Sequence, residues 1–293
     1  MNQVAVQVNQ FTDAFRAVGL SLGLAALALG ATVGAAGCSV DSAKSRYLLA
    51  EKLYNDGKYS AAVNEFEKVV AKEPRGKLGL QALFRAAITQ ALYLNQYGEA
   101  VRKFRSYVEA SQNPSAIWEA QRQVGEILFI KTEQYEQAIS HYRGMLKLRP
   151  SAEEAPEMLF RIAKSHFFLY QFDEAIGAFQ ELVRKHPSSR WAEQASFQMG
   201  VTYFTRAGRS GSAVSSTRAF QESMEAYQRF LRRYPSSTWA AEAKFGIAAC
   251  LEEMDQLDAA LLQYESLRAS YPSPKVIEIK LARIKERKEQ RSR

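Results

Sequence analysis

The chain has 293 residues, of which 47% are hydrophobic and 24% charged, as is usual for a soluble protein. Its two cysteines exclude a secreted disulfide framework. The net charge is +8, but residues 275–293 alone hold eight basic and three acidic residues, or +5 of it. The rest of the chain is therefore nearly balanced, which argues against an extended nucleic-acid-binding surface.

The N-terminal region contains the longest apolar run. Residues 17–37 just reach the ~20 residues that a membrane-spanning helix needs, and a signal peptide can also have such a run. The run ends in Ala35, Ala36 and Gly37 directly before Cys38. Small residues in this order before a cysteine resemble a bacterial lipobox.

The lipobox resemblance implies that residues 1–37 are a lipoprotein signal peptide and that Cys38 is lipidated, which leaves 38–44 as a short tether. Ser39, and not an aspartate, follows the cysteine. By resemblance to enterobacterial lipoproteins, this implies anchoring in the outer membrane at its periplasmic face. A retained membrane helix and an ordinary signal peptide remain open as alternatives.

The mature region repeats one spacing: a small residue, an aromatic residue four positions later and a proline eight positions after that. A small residue and a ring four apart lie on one helix face, where the small side chain lets a neighbouring helix approach. Proline then ends the helix. The copies are Ala62/Phe66/Pro74, Ala138/Tyr142/Pro150, Ala175/Phe179/Pro187, Ser223/Tyr227/Pro235 and Ala260/Tyr264/Pro272, with Ala100/Phe104 as a sixth that lacks the proline.

This pattern resembles the tetratricopeptide repeat (TPR), a helix-turn-helix unit, over roughly Lys44 to Pro272. Successive small residues are 38, 38, 37, 48 and 37 apart, so each unit is longer than the usual ~34 residues and one carries an insertion. The resemblance implies an all-α, right-handed solenoid of about six repeats over 45–274, with the first helices on the concave side. The groove residues implied by that geometry are Tyr54, Asn55, Leu92, Tyr93, Phe167, Phe168, Tyr203 and Glu252. Packing of several of these rings between repeats is the alternative.

The insertion lies in the fifth repeat. Residues 206–217 contain two glycines, four serines and no long apolar side chain, so we predict a loop. One interpretation is a tolerated insertion at a helix turn. The other is a partner-contact loop that presents Arg206 and Arg209.

The C-terminal part also resembles a particular family. The stretches FQMGVTYF (197–204) and STRAFQESMEAYQRFLRRYPSSTWAAEAKF (216–245), with PSSxWAxxAxF repeated at Pro187 and Pro235, resemble the BamD (YfiO) family of outer-membrane lipoproteins. The resemblance implies a scaffold of outer-membrane β-barrel assembly whose partner is a barrel protein with POTRA domains. A TPR adaptor of the Tol-Pal and cell-wall machinery, and an inner-membrane TPR protein of a secretion or pilus assembly, are the alternatives.

Residues 275–293 place Ile277, Leu281 and Ile284 on one helix face, which predicts a capping helix with a basic, fraying end. Binding of this tail to anionic phospholipid or nucleic acid is the alternative.

We find no catalytic or metal-binding motif, and none of the three histidines belongs to a metal-ligand spacing such as HExxH. Cys250, among alanines and a leucine, is interpreted as a buried hydrophobic residue. We therefore predict no enzyme activity, no cofactor, no small-molecule substrate and no nucleic acid, and other proteins as the binding partners.

Overall fold

The computed structural model describes residues 42–209 and 213–292. The predicted signal peptide, Cys38 and most of the tether lie outside the described residues, as do 210–212 in the predicted loop. Every regular element in the described part is a helix. None of the described helices is both long enough and apolar enough to cross a membrane.

The described helices form six pairs and one terminal helix, numbered in chain order. The pairs are α1 (Ala43–Asn55) with α2 (Tyr59–Lys72), α3 (Lys77–Leu92) with α4 (Tyr97–Ala110), α5 (Pro114–Glu126) with α6 (Tyr135–Leu148), α7 (Ala155–Phe168) with α8 (Phe172–Lys185), α9 (Arg190–Gly208) with α10 (Ala213–Arg233), and α11 (Ala240–Glu253) with α12 (Leu257–Leu267). The terminal helix is α13 (Pro274–Ser292). We call the pairs repeats one to six.

Helices pack on their neighbours in sequence, which defines a solenoid and not a closed core. First helices of successive repeats also approach one another, namely α1 and α3, α7 and α9, and α9 and α11, whereas no two successive second helices make comparable contact. Because the first helices are closer together, they form the inner side of the stack. The predicted all-α TPR solenoid is confirmed.

The repeated triple lies where the helices touch. Ala62 and Phe66 of repeat one are fully buried, and so are their counterparts Ala175 and Phe179 of repeat four. In repeat five the ring of Tyr227 is inserted between two first helices. A Cβ atom at Gly200 or Gly246 would lie 2.5 or 2.4 Å from its ring carbons, so only glycine fits on either side.

The turn inside a repeat has the same backbone geometry in five of the six pairs. In each, the residue two positions before the second helix has a left-handed conformation, with φ between 52° and 74°. Only the first of these residues is a glycine. The other four have a side chain, which makes the left-handed conformation sterically less favourable. They are Gly57, Asn95, Glu133, Tyr170 and Asp255.

Repeat three contains a feature that the spacing did not predict. Helix α5 continues into a π-helical segment, Ile127–Lys131, which the backbone N–H of Thr132 closes onto the carbonyl oxygen of Ile127 at 3.0 Å. A π-turn accommodates one extra residue in a helix. The extra residue changes the register of the side chains in the last turn of this first helix relative to those at the start of the helix.

The predicted loop 206–217 is shorter in the structure. Helix α9 continues to Gly208, and α10 already begins at Ala213. The loop prediction followed composition, and serine, threonine, valine and glycine do disfavour a helix here, but α9 packs along α10 over its length.

Candidate protein-binding surface

The predicted groove residues lie at the C-terminal ends of first helices, beside the turns, except Tyr203, which precedes the last turn of α9. Leu92, Tyr93 and Phe168 are 39%, 43% and 40% exposed, which is high for large apolar side chains. Tyr54, Phe167 and Tyr203 are half-buried and Asn55 is exposed. Glu252 is buried.

A first group of rings joins repeats one and two. Tyr59, the first residue of α2, stacks on Tyr93 with ring centroids 4.0 Å apart, and the Tyr54 hydroxyl donates to the Tyr93 hydroxyl oxygen at 3.0 Å. The Arg85 guanidinium lies 4.2 Å from the Tyr54 ring centroid and donates two hydrogen bonds, of 2.8 and 2.7 Å, to the Glu51 carboxylate. Burial raises the pKa of Tyr54 to about 12. These contacts fix the rings while leaving Tyr93 accessible.

A second group repeats that geometry between repeats three and four. Tyr135, the first residue of α6, stacks on Phe168 at 4.8 Å between centroids. Phe129 of the π-helical segment packs on Tyr135 at 5.9 Å, and Phe167 packs edge-on against Phe168 at 5.8 Å. In both groups the ring that opens a second helix stacks on the ring at the end of the next first helix. We call these two stacks, Tyr59 on Tyr93 and Tyr135 on Phe168, the ring pairs.

Lys164 lies next to the second ring pair, on α7. Its Nζ atom is 4.8 Å from the ring centroids of both Phe167 and Phe168 and 3.4 Å from Oε1 of Gln198 on α9. Burial lowers the pKa of the Lys164 ammonium to about 8, because the charged form loses its hydration. This places a poorly hydrated cation on the inner side of the solenoid.

Arg206 and Arg209 both pack on neighbouring side chains, Arg206 within α9 and Arg209 directly after it. Arg206 lies in α9, forms ion pairs with Asp173 and Glu222, and covers the Tyr203 ring at 5.0 Å. The Arg209 guanidinium lies 4.3 Å from the Tyr170 ring centroid. Both arginines thus contact repeat four.

The prediction that Glu252 lines the groove is wrong. The side chain is 1% exposed, and its Oε2 accepts hydrogen bonds from Lys280 Nζ at 2.9 Å and from the Tyr264 hydroxyl at 3.1 Å. Arg283 and Arg287 approach its Oε1 at 3.8 and 3.9 Å. The sequence position matches the groove positions of other repeats, but here α13 covers it.

Helix α13 caps the solenoid as expected from Ile277, Leu281 and Ile284, which are buried. Its basic residues also face acidic groups of the chain, since Arg287 pairs with Asp255 at 3.0 Å. Lys288 pairs with Asp258, and Arg291 with Asp255. Much of the positive charge of the tail is therefore neutralised within the protein.

Two of the histidines and Cys250 occupy structural positions. His141 Nε2 bonds the carbonyl oxygen of Gln121 at 2.7 Å, and His166 Nδ1 lies 2.6 Å from Gln171 Oε1. Cys250 is fully buried, as interpreted from its neighbours. Across residues 42–209 and 213–292, no cluster of His, Cys, Asp or Glu side chains could hold a metal ion.

Sequence reasoning missed Lys164, Phe129 and the partners of the ring pairs. A signal for those partners was present: an aromatic residue stands three positions before the small residue of the triple in each of the first four repeats. These residues are Tyr59, Tyr97, Tyr135 and Phe172. Lys164 has no such signal, because its environment comes from α9.

A helical-repeat solenoid with rigid rings on its inner side belongs to the class of TPR scaffolds, which bind other proteins. The family model described as YfiO, outer membrane lipoprotein, matches residues 119–277. This is more than half of the chain, and the chain belongs to that family.

Solved structures with a similar chain trace include other TPR proteins. PilW, a widely conserved type IV pilus biogenesis factor, has 13% identity and a TM-score of 0.48 over 83% of this chain and 97% of its own. A TPR protein from Parabacteroides merdae has 15% identity and a TM-score of 0.49 over 85% and 88%. YrrB, a TPR protein with an unusual peptide-binding site, has 18% identity and a TM-score of 0.46 over 70% and 93%. No curated protein matches the sequence.

Proposed function

We propose that this protein is a non-catalytic scaffold of outer-membrane β-barrel protein assembly, anchored through acyl chains on Cys38 at the periplasmic face of the outer membrane. The observation that carries the proposal is the match of residues 119–277 to the outer membrane lipoprotein family. The lipobox before Cys38 supports it independently, since it lies outside the matched residues. The scaffold has no reaction to catalyse and acts by holding proteins together.

The inner side of the solenoid is the proposed partner-binding surface. Tyr93 and Phe168 are accessible, and each is already stacked on a second ring. Rings held in place lose little conformational entropy on binding, and aromatic side chains supply much of the binding energy at protein interfaces. An extended or helical segment of another protein is the expected occupant.

The proposed partner is a β-barrel assembly protein with POTRA domains. Crosslinking in intact cells, followed by purification of the protein from the envelope, should recover such a partner. The double variant Tyr93→Ala/Phe168→Ala should reduce recovery, and the matched control Lys185→Met, on the outer helix α8, should not. Recovery of Tol-Pal proteins, peptidoglycan synthases, or pilus or secretion components in place of a barrel protein would overturn the proposal.

The anchor is tested separately. Globomycin, which blocks lipoprotein signal cleavage, should slow the electrophoretic mobility of the protein, and Cys38→Ser should release it from outer-membrane fractions or leave it unprocessed. An unchanged mobility with globomycin and an unchanged membrane fraction for Cys38→Ser would contradict lipidation.

A further inference from the structure

The inner side of repeat four contains an ammonium group that has no anionic partner among the residues that the structure describes. Lys164 Nζ carries three N–H donors, and the hydrogen bond it makes in the described part of the chain is the long one to Gln198 Oε1, at 3.4 Å. The other close groups are the faces of Phe167 and Phe168, each 4.8 Å away. Ring faces attract a cation but do not replace its lost hydration.

The nearest candidate anion on the same helix is already engaged. Glu157 forms an ion pair with Arg161, one turn before Lys164, and Arg161 also donates to the Tyr142 hydroxyl oxygen at 2.8 Å. Glu51, another carboxylate on a first helix, is likewise matched by Arg85. Lys164 therefore differs from Arg161 and Arg85 in having N–H donors that no hydrogen bond within the described residues uses.

We propose that Lys164, flanked by Phe167 and Phe168 and facing Gln198, is the subsite that receives a carboxylate from a polypeptide bound along the inner side. The inference rests on the proposed scaffold function and names one chemical group of its partner. A carboxylate can come from an acidic side chain or from a chain terminus, and the test distinguishes the two.

The surroundings favour a carboxylate over a phosphate. One ammonium balances one negative charge, and the neighbouring guanidinium of Arg161 is occupied by Glu157. Gln198 provides a second donor, because its side-chain amide carries an NH₂ group beside the oxygen that now faces Lys164. The two phenylalanine rings add apolar contact for the peptide backbone or side chain next to the carboxylate.

The test uses the full-length protein in detergent and three N-acetylated peptides of three tyrosine-glycine repeats. One ends in a free carboxylate, one is amidated, and one is amidated with glutamate in the last position. Titration calorimetry should show that at least one carboxylate peptide binds about tenfold more tightly than the neutral one, the gain typical of one charge-assisted hydrogen bond. Of the two carboxylate peptides, the one that binds more tightly identifies the source of the carboxylate, either a chain terminus or an acidic side chain.

Lys164→Met should remove that tenfold difference, and Lys164→Arg should retain part of it. The matched control Lys185→Met, in the same repeat but on the outer helix α8, should keep it in full. Circular dichroism establishes that each variant is folded.

Three results would overturn the inference: equal binding of neutral and acidic peptides, an undiminished preference in folded Lys164→Met, or no binding of any peptide at millimolar concentration. Equal binding would leave the inner side as a binding surface and remove only the carboxylate assignment. The envelope crosslinking experiment tests the scaffold function independently of these peptides.

Discussion

Replacing Lys164 by methionine should stabilise the folded protein at neutral pH. Burial lowers the pKa of this ammonium from 10.5 to about 8, which means that folding disfavours the charged form. At ~1.4 kcal/mol per pKa unit, the penalty is about 3 kcal/mol at pH 7. Methionine has a similar length, carries no charge and makes favourable contacts with rings, so we expect the free energy of unfolding to rise by about 1 to 3 kcal/mol.

The effect of Lys164→Met should depend on pH in a defined direction. Folded protein loses the Lys164 proton near pH 8 and the unfolded chain near 10.5, so between these values the unfolded chain binds more protons and wild-type stability rises with pH. The advantage of the variant should therefore shrink as the pH rises from 7 to 10. Burial raises the pKa of Tyr142 to about 12, which lowers stability at still higher pH, but equally in both proteins.

Urea unfolding followed by far-UV circular dichroism at pH 7, 8.5 and 10 measures the difference. Lys164→Arg is the control, because arginine keeps its charge throughout this pH range. It should not raise the free energy of unfolding at pH 7, and it should show no advantage over wild type that shrinks as the pH rises. A variant that is less stable than wild type at pH 7, or a gain that does not change with pH, would refute the reasoning.

Three further substitutions test the packing. Gly246→Ala should lower the free energy of unfolding by ~1–3 kcal/mol, since its Cβ would lie 2.4 Å from a ring carbon of Tyr227. Gly177→Ala, in a helix interior where a Cβ atom would meet nothing within 4 Å, should raise the free energy of unfolding by about 1 kcal/mol. Urea unfolding in which Gly246→Ala and Gly177→Ala change stability in the same direction would contradict this description of the packing. Glu252→Ala leaves Lys280 unpaired and should cost about 2 kcal/mol and speed trypsin cleavage of α13. Unchanged protection of α13 would show that the buried carboxylate does not hold the cap.

The repeated triple was sufficient to predict the solenoid because it encodes contacts between successive helices. Ala62 and Phe66 are buried in a cluster with residues of the helices before and after them, so the spacing that places them on one face also determines the packing. The π-helical segment and the extended α9 were not predictable in this way. Neither leaves a periodic signal in the sequence.

The inner surface was only partly predictable. The position of a residue in its helix determines which side of the helix it lies on, but the neighbouring helix determines whether its side chain is accessible. Tyr93 and Glu252 end first helices at nearly equivalent positions, yet one is 43% and the other 1% exposed. The difference is α13, which supplies Lys280 to Glu252. The sequence predicted the cap, but not that α13 would also cover Glu252 on the inner side of the last repeat.

The sequence left two interpretations of the aromatic residues: packing between repeats, or lining a groove. The structure shows that one ring can do both. Tyr93 stacks on Tyr59 at 4.0 Å and is still 43% exposed, and Phe168 stacks on Tyr135 at 4.8 Å and is 40% exposed. Each ring joins successive repeats and still has part of its surface accessible. A partner that packed on these accessible surfaces would therefore contact side chains that are already held in place, at the contacts between repeats one and two and between repeats three and four.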